Sequence, residues 1–206
     1  MDNIEDRIRE AKEKAKERNF TQSVDLIINL KNIELDNPEN RFSEQLSMPY
    51  QVSEDTKVAV IGETLKAENA DRVISESELE ELFEDSSEAK KVANEIDHFI
   101  AEAPLMPDIG RELGPVLGPR DKMPKPLPPG SDATDRIKNL RQTVGVKVKE
   151  QPSVKIKIGT EAMPVENVAD NAERIINFVE EQLPMGQHNI KNIYCKLTMG
   201  PVVELM

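Results

Sequence analysis

Two kinds of apolar pattern, and the order in which they come, limit what this chain can fold into. Val58-Ala59-Val60-Ile61-Gly62 is a continuous apolar run closed by a glycine, the form of a strand covered on both faces. Toward both ends of the chain, apolar and polar residues alternate instead. Val24, Leu26, Ile28 and Leu30 alternate with Asp25 and Asn29, although Ile27 interrupts the polar set; Ile193, Cys195 and Leu197 alternate with Asn192, Tyr194, Lys196 and Thr198. Period-2 alternation belongs to strands with one face buried and one face wet. A covered sheet in the middle and a one-sided sheet near the ends are therefore expected together.

The middle segment reads as strand, helix, strand, helix, strand. After the run at 58–62 come a helical stretch over 63–70, the short run Arg72-Val73-Ile74, a helix from Ser77 to Ile96 and the apolar run His98-Phe99-Ile100-Ala101. That order predicts a wound α/β domain with a mostly parallel sheet. A short glycine-broken helix from Met106 to Gly118, a proline-rich basic loop from Arg120 to Gly130 and a helix over Ala133 to Leu140 follow.

The two ends supply the other half of the fold. Ile4, Ile8, Ala11 and Ala15 recur at helical spacing within Asp2 to Glu17, a charged amphipathic helix, and the strand Gln22 to Leu30 follows it. Asp36 to Asn40 is a turn cluster, and Arg41 to Pro49 reads as a returning strand. Near the other end, Thr143 to Lys149 and Ser153 to Gly159 alternate on either side of Glu150-Gln151-Pro152, which reads as a hairpin turn. Lys147, Lys149, Lys155 and Lys157 then project from wet faces as the densest purely basic patch. Val165 to Leu183 is an amphipathic helix. Neither end is large enough to close a core alone, so residues 1–57 and 148–206 are expected to form one discontinuous α+β domain with an antiparallel sheet. Residues 58–147 are the inserted, Rossmann-like α/β domain, leaving two crossings near Val52 to Lys57 and Thr143 to Gln151 as a hinge.

The stretch Lys191-Asn192-Ile193-Tyr194-Cys195-Lys196-Leu197-Thr198-Met199-Gly200-Pro201 presents the most informative wet face. It lines up an amide, a phenol, an ammonium and a hydroxyl, then ends in a Gly-Pro turn where backbone can approach a ligand. Such groups suit a polyanion rich in oxygens, such as RNA, although a surface strand that simply ends at a turn gives the same pattern. Charge is the objection. The chain carries 27 basic and 39 acidic residues, a formal net charge of -12, and no third of it is basic. The unrelieved acid of Glu76, Glu78, Glu80, Glu81, Glu84, Asp85 and Glu88 falls in the middle third, however, away in sequence from the candidate face.

Other functions find little support. A nucleotide-binding or transferase enzyme built on the middle α/β domain is the alternative, suggested by the strand at 58–62. No G-x-G-x-x-G follows that strand, and no G-x-x-x-x-G-K-[ST] occurs in the chain. One cysteine, Cys195, and two scattered histidines, His98 and His188, make neither a metal cluster nor a nucleophile arrangement, so no cofactor, no metal and no catalysis are expected. No apolar run approaches the length needed to span a membrane, and the first residues lack the pattern of a signal peptide, so a cytoplasmic protein is expected.

Three segments together resemble a known family. Arg18-Asn19-Phe20-Thr21-Gln22-Ser23-Val24, Leu113-Gly114-Pro115-Val116-Leu117-Gly118-Pro119-Arg120-Asp121-Lys122-Met123-Pro124-Lys125-Pro126, and Tyr194-Cys195-Lys196-Leu197-Thr198-Met199-Gly200-Pro201 are similar, in this order along the chain, to the archaeal-type form of the L-one family of large-subunit ribosomal proteins. The resemblance implies an RNA-binding domain split between the termini and an inserted α/β domain. It implies a place on the mobile stalk of the large-subunit rRNA beside the tRNA exit site, contact with exit-site tRNA, repression of the protein's own mRNA, and a monomer when isolated. By position, the family's RNA surface falls on Phe20, Ser23, Asp25, Asn192, Thr198, Met199 and Gly200. Thr21, Lys155, Lys157, Tyr194 and Lys196 complete the expected RNA-binding set, the lysines as phosphate contacts. Two departures stand out. Asp121 replaces a glycine of the family motif, and Met48 to Asp55 lacks the glycines usual before the middle domain.

Overall fold

The computed structural model describes residues 4–205; Asp2 and Asn3, included in the first expected helix, lie outside the described residues. In chain order the elements are α1 (Ile4–Lys14), β1 (Ser23–Leu30), β2 (Phe42–Ser47), β3 (Val58–Ile61), β4 (Arg72–Ile74), α2 (Glu76–Glu84), α3 (Ser86–Glu95) and β5 (His98–Glu102). They continue with α4 (Met106–Glu112), α5 (Gly114–Leu117), β6 (Lys125–Leu127), α6 (Thr134–Arg141), β7 (Thr143–Val148), β8 (Ser153–Thr160), α7 (Val165–Gln182), β9 (Ile190–Leu197) and β10 (Val203–Glu204).

The chain divides into two compact units, one running up to Ser53 and resuming at Gln142, the other spanning Glu54–Arg141. The first crossing falls within the expected stretch Val52 to Lys57, whereas the second, between Arg141 and Gln142, falls just before the expected Thr143 to Gln151 and ahead of the expected boundary at 147/148. β7 is the reason: it pairs along its length with β2, from Phe42 opposite Val148 to Ser47 opposite Thr143, which draws 143–147 into the terminal unit.

In the terminal unit, β1 is a central strand with β8 on one side and β9 on the other, and β10 closes the order β10-β9-β1-β8. Both pairings of β1 are antiparallel. Its even-numbered residues Val24, Leu26 and Ile28 are fully buried, while Asp25, Ile27 and Asn29 remain partly exposed, as alternation requires. Helices α1 and α7 cover the buried face. Val168, Ala172, Ile175 and Val179 of α7 and Ile8 and Ala11 of α1 are completely enclosed with Ile158, Ile193 and Cys195. Each enclosed Val or Ile contributes about 1.5–3 kcal/mol of transfer free energy, which explains how an aliphatic core without Trp suffices. The small β2–β7 sheet joins the same core through Leu46, Val146 and Val148, and Phe42 meets Phe178 of α7 edge to face at 6.3 Å between ring centres.

Residues expected to form a hairpin at 150–152 do not pair their strands with each other. β7 belongs to the two-stranded sheet and β8 to the larger one, so Lys147 and Lys149 lie on a different sheet from Lys155 and Lys157. Nor does β9 end the terminal sheet, because the chain turns at Gly200-Pro201 and returns as β10, with Val203 opposite Cys195.

The inserted unit is a parallel sheet in the order β4-β3-β5-β6 with helices on both faces. Ala59, Ile61, Phe99 and Ala101 pack with residues of α2, α3, α4 and α5; Val58, Val60 and Ile100 pack with Ile137 and Leu140 of α6. Three expectations are corrected here. Residues 63–70 form no helix, because the Thr64 backbone N–H is taken by the Glu102 carboxylate and the Lys66 N–H by the Ser131 carbonyl. The helix expected over 77–96 breaks at Asp85, whose N–H bonds the Glu81 carbonyl to end α2 and whose carboxylate accepts from the Ser87 and Glu88 amides to start α3. Those amides hold the Asp85 carboxyl below its ordinary range. The proline-rich loop contains the edge strand β6, a position where Pro126 deprives no neighbour of a hydrogen bond.

Asp121, in place of the family's glycine, has φ 57°, in the left-handed region. Aspartate enters that region more readily than most residues, so Asp121 takes a conformation that glycine adopts without strain.

Candidate nucleic-acid interface

The wet face of the terminal sheet is built in rows across three strands. Antiparallel register places Lys157 and Lys196 on either side of Asp25, Lys155 and Tyr194 on either side of Ile27, and Ser153 and Asn192 on either side of Asn29. Residues opposite each other share a face about 4.5–5.5 Å apart at Cβ, so each row is one patch. Burial pushes the Asp25 carboxyl above its ordinary range, and the charges of Lys196 and Lys157 act against that push. The row still carries one net positive charge.

The third row continues into a chain of polar side chains. The Asn29 amide donates to Asn192 Oδ1 at 2.9 Å, and Asn192 Nδ2 donates to Tyr194 Oη at 2.7 Å. Tyr194 thus has its own hydroxyl proton left for a further acceptor. Asn29 belongs to this face and was not among the expected site residues, although its place in the alternation marked it.

At one end of the sheet the two strand termini are tied together. The Thr198 N–H donates to the Ser23 carbonyl at 3.0 Å, and the Ser23 N–H donates to Thr198 Oγ1 at 3.2 Å. Thr198 is exposed and its hydroxyl lies at the surface end of the ladder. Met199, next to Thr198, is 59% exposed and Phe20, three residues before Ser23, is 53% exposed, unusual for residues of that size, and Thr21 is exposed as well. Gly200 is explained by packing: a Cβ there would lie 3.2 Å from Leu197 Cβ and 3.3 Å from Ala15 Cβ. Its N–H closes the turn on the Leu197 carbonyl at 2.9 Å. Behind this end sits Gln22, 1% exposed and hydrogen bonded through both ends of its amide.

The expected site residues therefore fall on one face and one end of a single sheet: Phe20, Thr21, Ser23, Asp25, Lys155, Lys157, Asn192, Tyr194, Lys196, Thr198, Met199 and Gly200. The structure does not bring Lys147 and Lys149 to it.

The enzyme alternative meets a physical obstacle. In open α/β sheets ligands sit outside the carboxyl ends of the strands where the strand order reverses, here between β3 and β5. Glu102, 5% exposed, fills that place; it accepts from the Thr64 N–H at 2.7 Å and the Thr64 hydroxyl at 2.9 Å. It lies so close over Gly62, whose φ is 133°, that a Cβ there would be 2.4 Å from Glu102 Oε1. A carboxylate in that position repels a phosphate. Cys195 is no nucleophile either, because burial and Asp25, opposed by Lys12, leave its thiol pushed up to about 12. Among the described residues no group of three His, Cys, Asp or Glu side chains could hold a metal ion, and no helix is long and apolar enough to cross a membrane.

Comparison with known proteins agrees with the fold. Residues 11–201 match the model of the Ribosomal protein L1p/L10e family. The chain is 45% identical over 208 residues to the large ribosomal subunit protein uL1 of Methanothermobacter thermautotrophicus, covering 98% of both chains. It is also 45% identical over 207 residues to uL1 of Pyrococcus abyssi, covering 98% of this chain and 94% of that one, and 42% identical over 204 residues to uL1 of Methanobrevibacter smithii, covering 97% and 96%. With its split antiparallel unit, its inserted parallel unit and its full-length match, the chain belongs to the ribosomal protein L1p/L10e family.

Proposed function

We propose that this protein is a non-enzymatic component of the large ribosomal subunit in the cytoplasm, and that its terminal unit binds rRNA of the mobile stalk near the tRNA exit site. The observation that carries the reading is the convergence of Phe20, Thr198 and Met199 at one end of a sheet whose wet face holds Lys155, Lys157 and Lys196. Lysines in open rows meet phosphates and fix orientation. Ser23 and Thr198 hydroxyls, the Asp25 carboxylate and the Asn192 amide meet 2′-hydroxyls and base edges, which phosphate contacts cannot discriminate. Phe20 and Met199 pack on an exposed base or ribose.

The inserted unit, joined through two crossings, moves as a rigid body with the stalk, reaches exit-site tRNA and assists release of the deacylated molecule. The same terminal face, binding a matching fold in the protein's own mRNA, represses its translation. The isolated protein is a monomer. A gel-shift of the full chain against a stalk rRNA fragment, with a DNA copy of the same sequence as control, tests the reading. Tight RNA binding with weak DNA binding supports it, and equal or absent binding of the two overturns it.

A further inference from the structure

The structure assigns a positioning role to Gln22, which with Glu161 holds Phe20 and Met199 in the geometry that engages RNA; this rests on the RNA-binding reading above. Gln22 stands in phase with Val24, Leu26, Ile28 and Leu30, so its amide is turned to the buried side of β1, where a polar group needs partners. It has them on three other segments. Oε1 accepts from the Met199 N–H at 3.2 Å, and Nε2 donates to the Lys16 carbonyl at 3.1 Å and to Glu161 Oε2 at 3.1 Å.

Glu161 returns the contact from the turn between β8 and α7. Its Oε1 accepts from the Gln22 N–H at 2.8 Å, and its own N–H donates to the Gln22 carbonyl at 2.9 Å. Lys12 pins that turn to α1, donating through Nζ to the Glu161 carbonyl at 3.2 Å and the Met163 carbonyl at 2.6 Å. One buried side chain thus ties the Met199 loop to the strand start whose preceding residues are Phe20 and Thr21. Both exposed apolar groups hang from it, one by covalent connection and one by a hydrogen bond. A held loop binds RNA without the ordering cost that a loose one would meet.

The test measures equilibrium binding to a stalk rRNA fragment, thermal unfolding and hydrogen exchange of the Met199 amide in the full-length chain. Gln22→Ala should weaken RNA binding about tenfold, the effect of losing a hydrogen bond of roughly 1.4 kcal/mol, and should speed Met199 exchange in protein that remains folded. Gln22→Glu keeps the acceptor for Met199 but sets a carboxylate against Glu161, and should bind as weakly. Adding Glu161→Gln lets residue 161 donate to the new carboxylate, and should recover part of the affinity, since the Lys16 carbonyl still lacks the donor that Gln22 gave it. That recovery separates positioning from a general loss of stability, and it remains readable if Gln22→Ala fails to fold. Unchanged affinity in Gln22→Ala and Gln22→Glu, while Thr198→Ala binds weakly, overturns the positioning role and leaves the RNA surface standing. So does failure of the double variant to recover. Unchanged affinity in Thr198→Ala and Met199→Ala removes the RNA surface itself, and the role of Gln22 with it.

Discussion

Ser23 and Thr198, separated by 175 positions in sequence, are joined by three hydrogen bonds: the Thr198 N–H and, at 3.4 Å, the Thr198 hydroxyl donate to the Ser23 carbonyl, and the Ser23 N–H donates to the Thr198 hydroxyl oxygen. The start of the first strand and the end of the ninth are therefore one surface, although no local signal connects them.

The first prediction concerns that pair. Thr198→Ala leaves the Ser23 N–H at an exposed edge where water replaces the hydroxyl, so the free protein loses less than about 1.5 kcal/mol of stability. RNA binding should fall by roughly 1–3 kcal/mol, and Met199→Ala should do the same through lost packing. Filter binding of both variants, with thermal unfolding alongside, checks this. Full affinity in both removes the site assignment.

Asp25→Asn tests the acid within the basic row. Burial raises the folded carboxyl above its ordinary value of 3.8, so folding favours the protonated form. The stability this group supplies is complete below that ordinary value and is lost as pH rises through the higher folded one. At neutral pH the asparagine variant escapes that loss, so its denaturant midpoint should exceed the parent's, and the gap should close in acid. In binding assays the variant should hold DNA more tightly, having lost a charge that repels phosphate, and its preference for RNA over DNA should narrow. A parent that gains no relative stability in acid contradicts the burial argument.

Lys157→Ala and Lys196→Ala probe the flanks of the same row. If each lysine meets one phosphate, each variant should reduce the slope of log affinity against log salt by about 0.7–0.9. Lys147→Ala, on the other sheet, should leave the slope alone. Equal effects at all three positions mean that a diffuse field, and not this row, attracts the RNA.

The sequence made some of these relationships readable and hid others. Strands β1 and β9 and their wet faces followed from alternation alone, because a one-residue shift would turn Leu26 or Cys195 into solvent. Partners were another matter. Alternation in β7 and β8 says which face is wet but not which strand lies beside it, and the short link at 150–152 suggested a hairpin that β2 displaces. At 63–70 the helical pattern lost to tertiary hydrogen bonds donated by the Thr64 and Lys66 N–H groups to Glu102 and Ser131, which lie 38 and 65 residues downstream of them. The edge strand β6 was hidden by Pro126. Gln22 was the quietest signal: a polar residue in phase with four buried ones marks a buried amide, and the partners of such an amide are visible only in three dimensions.

The last prediction is that the terminal unit folds and binds without the insertion. The chain leaves it and returns at adjacent points, since Ser47 is paired with Thr143 and the Met48 N–H donates to the Gln142 carbonyl at 2.8 Å. The outgoing strand is also held beyond β2. Asn171 of α7, fully buried, accepts from the Tyr50 N–H and donates to the Tyr50 carbonyl, both at 3.1 Å, and donates to the Ile158 carbonyl at 2.9 Å. Removing residues 54–141 and joining Ser53 to Gln142 through a few glycines closes a short loop, which costs little entropy. The core of α1, α7 and the four-stranded sheet keeps all its residues. The shortened protein should unfold in one cooperative transition and bind the stalk rRNA fragment within about threefold of the full chain, less than about 0.7 kcal/mol. An insoluble product, or a folded one that ignores RNA, shows that the two ends do not form a self-sufficient binding unit.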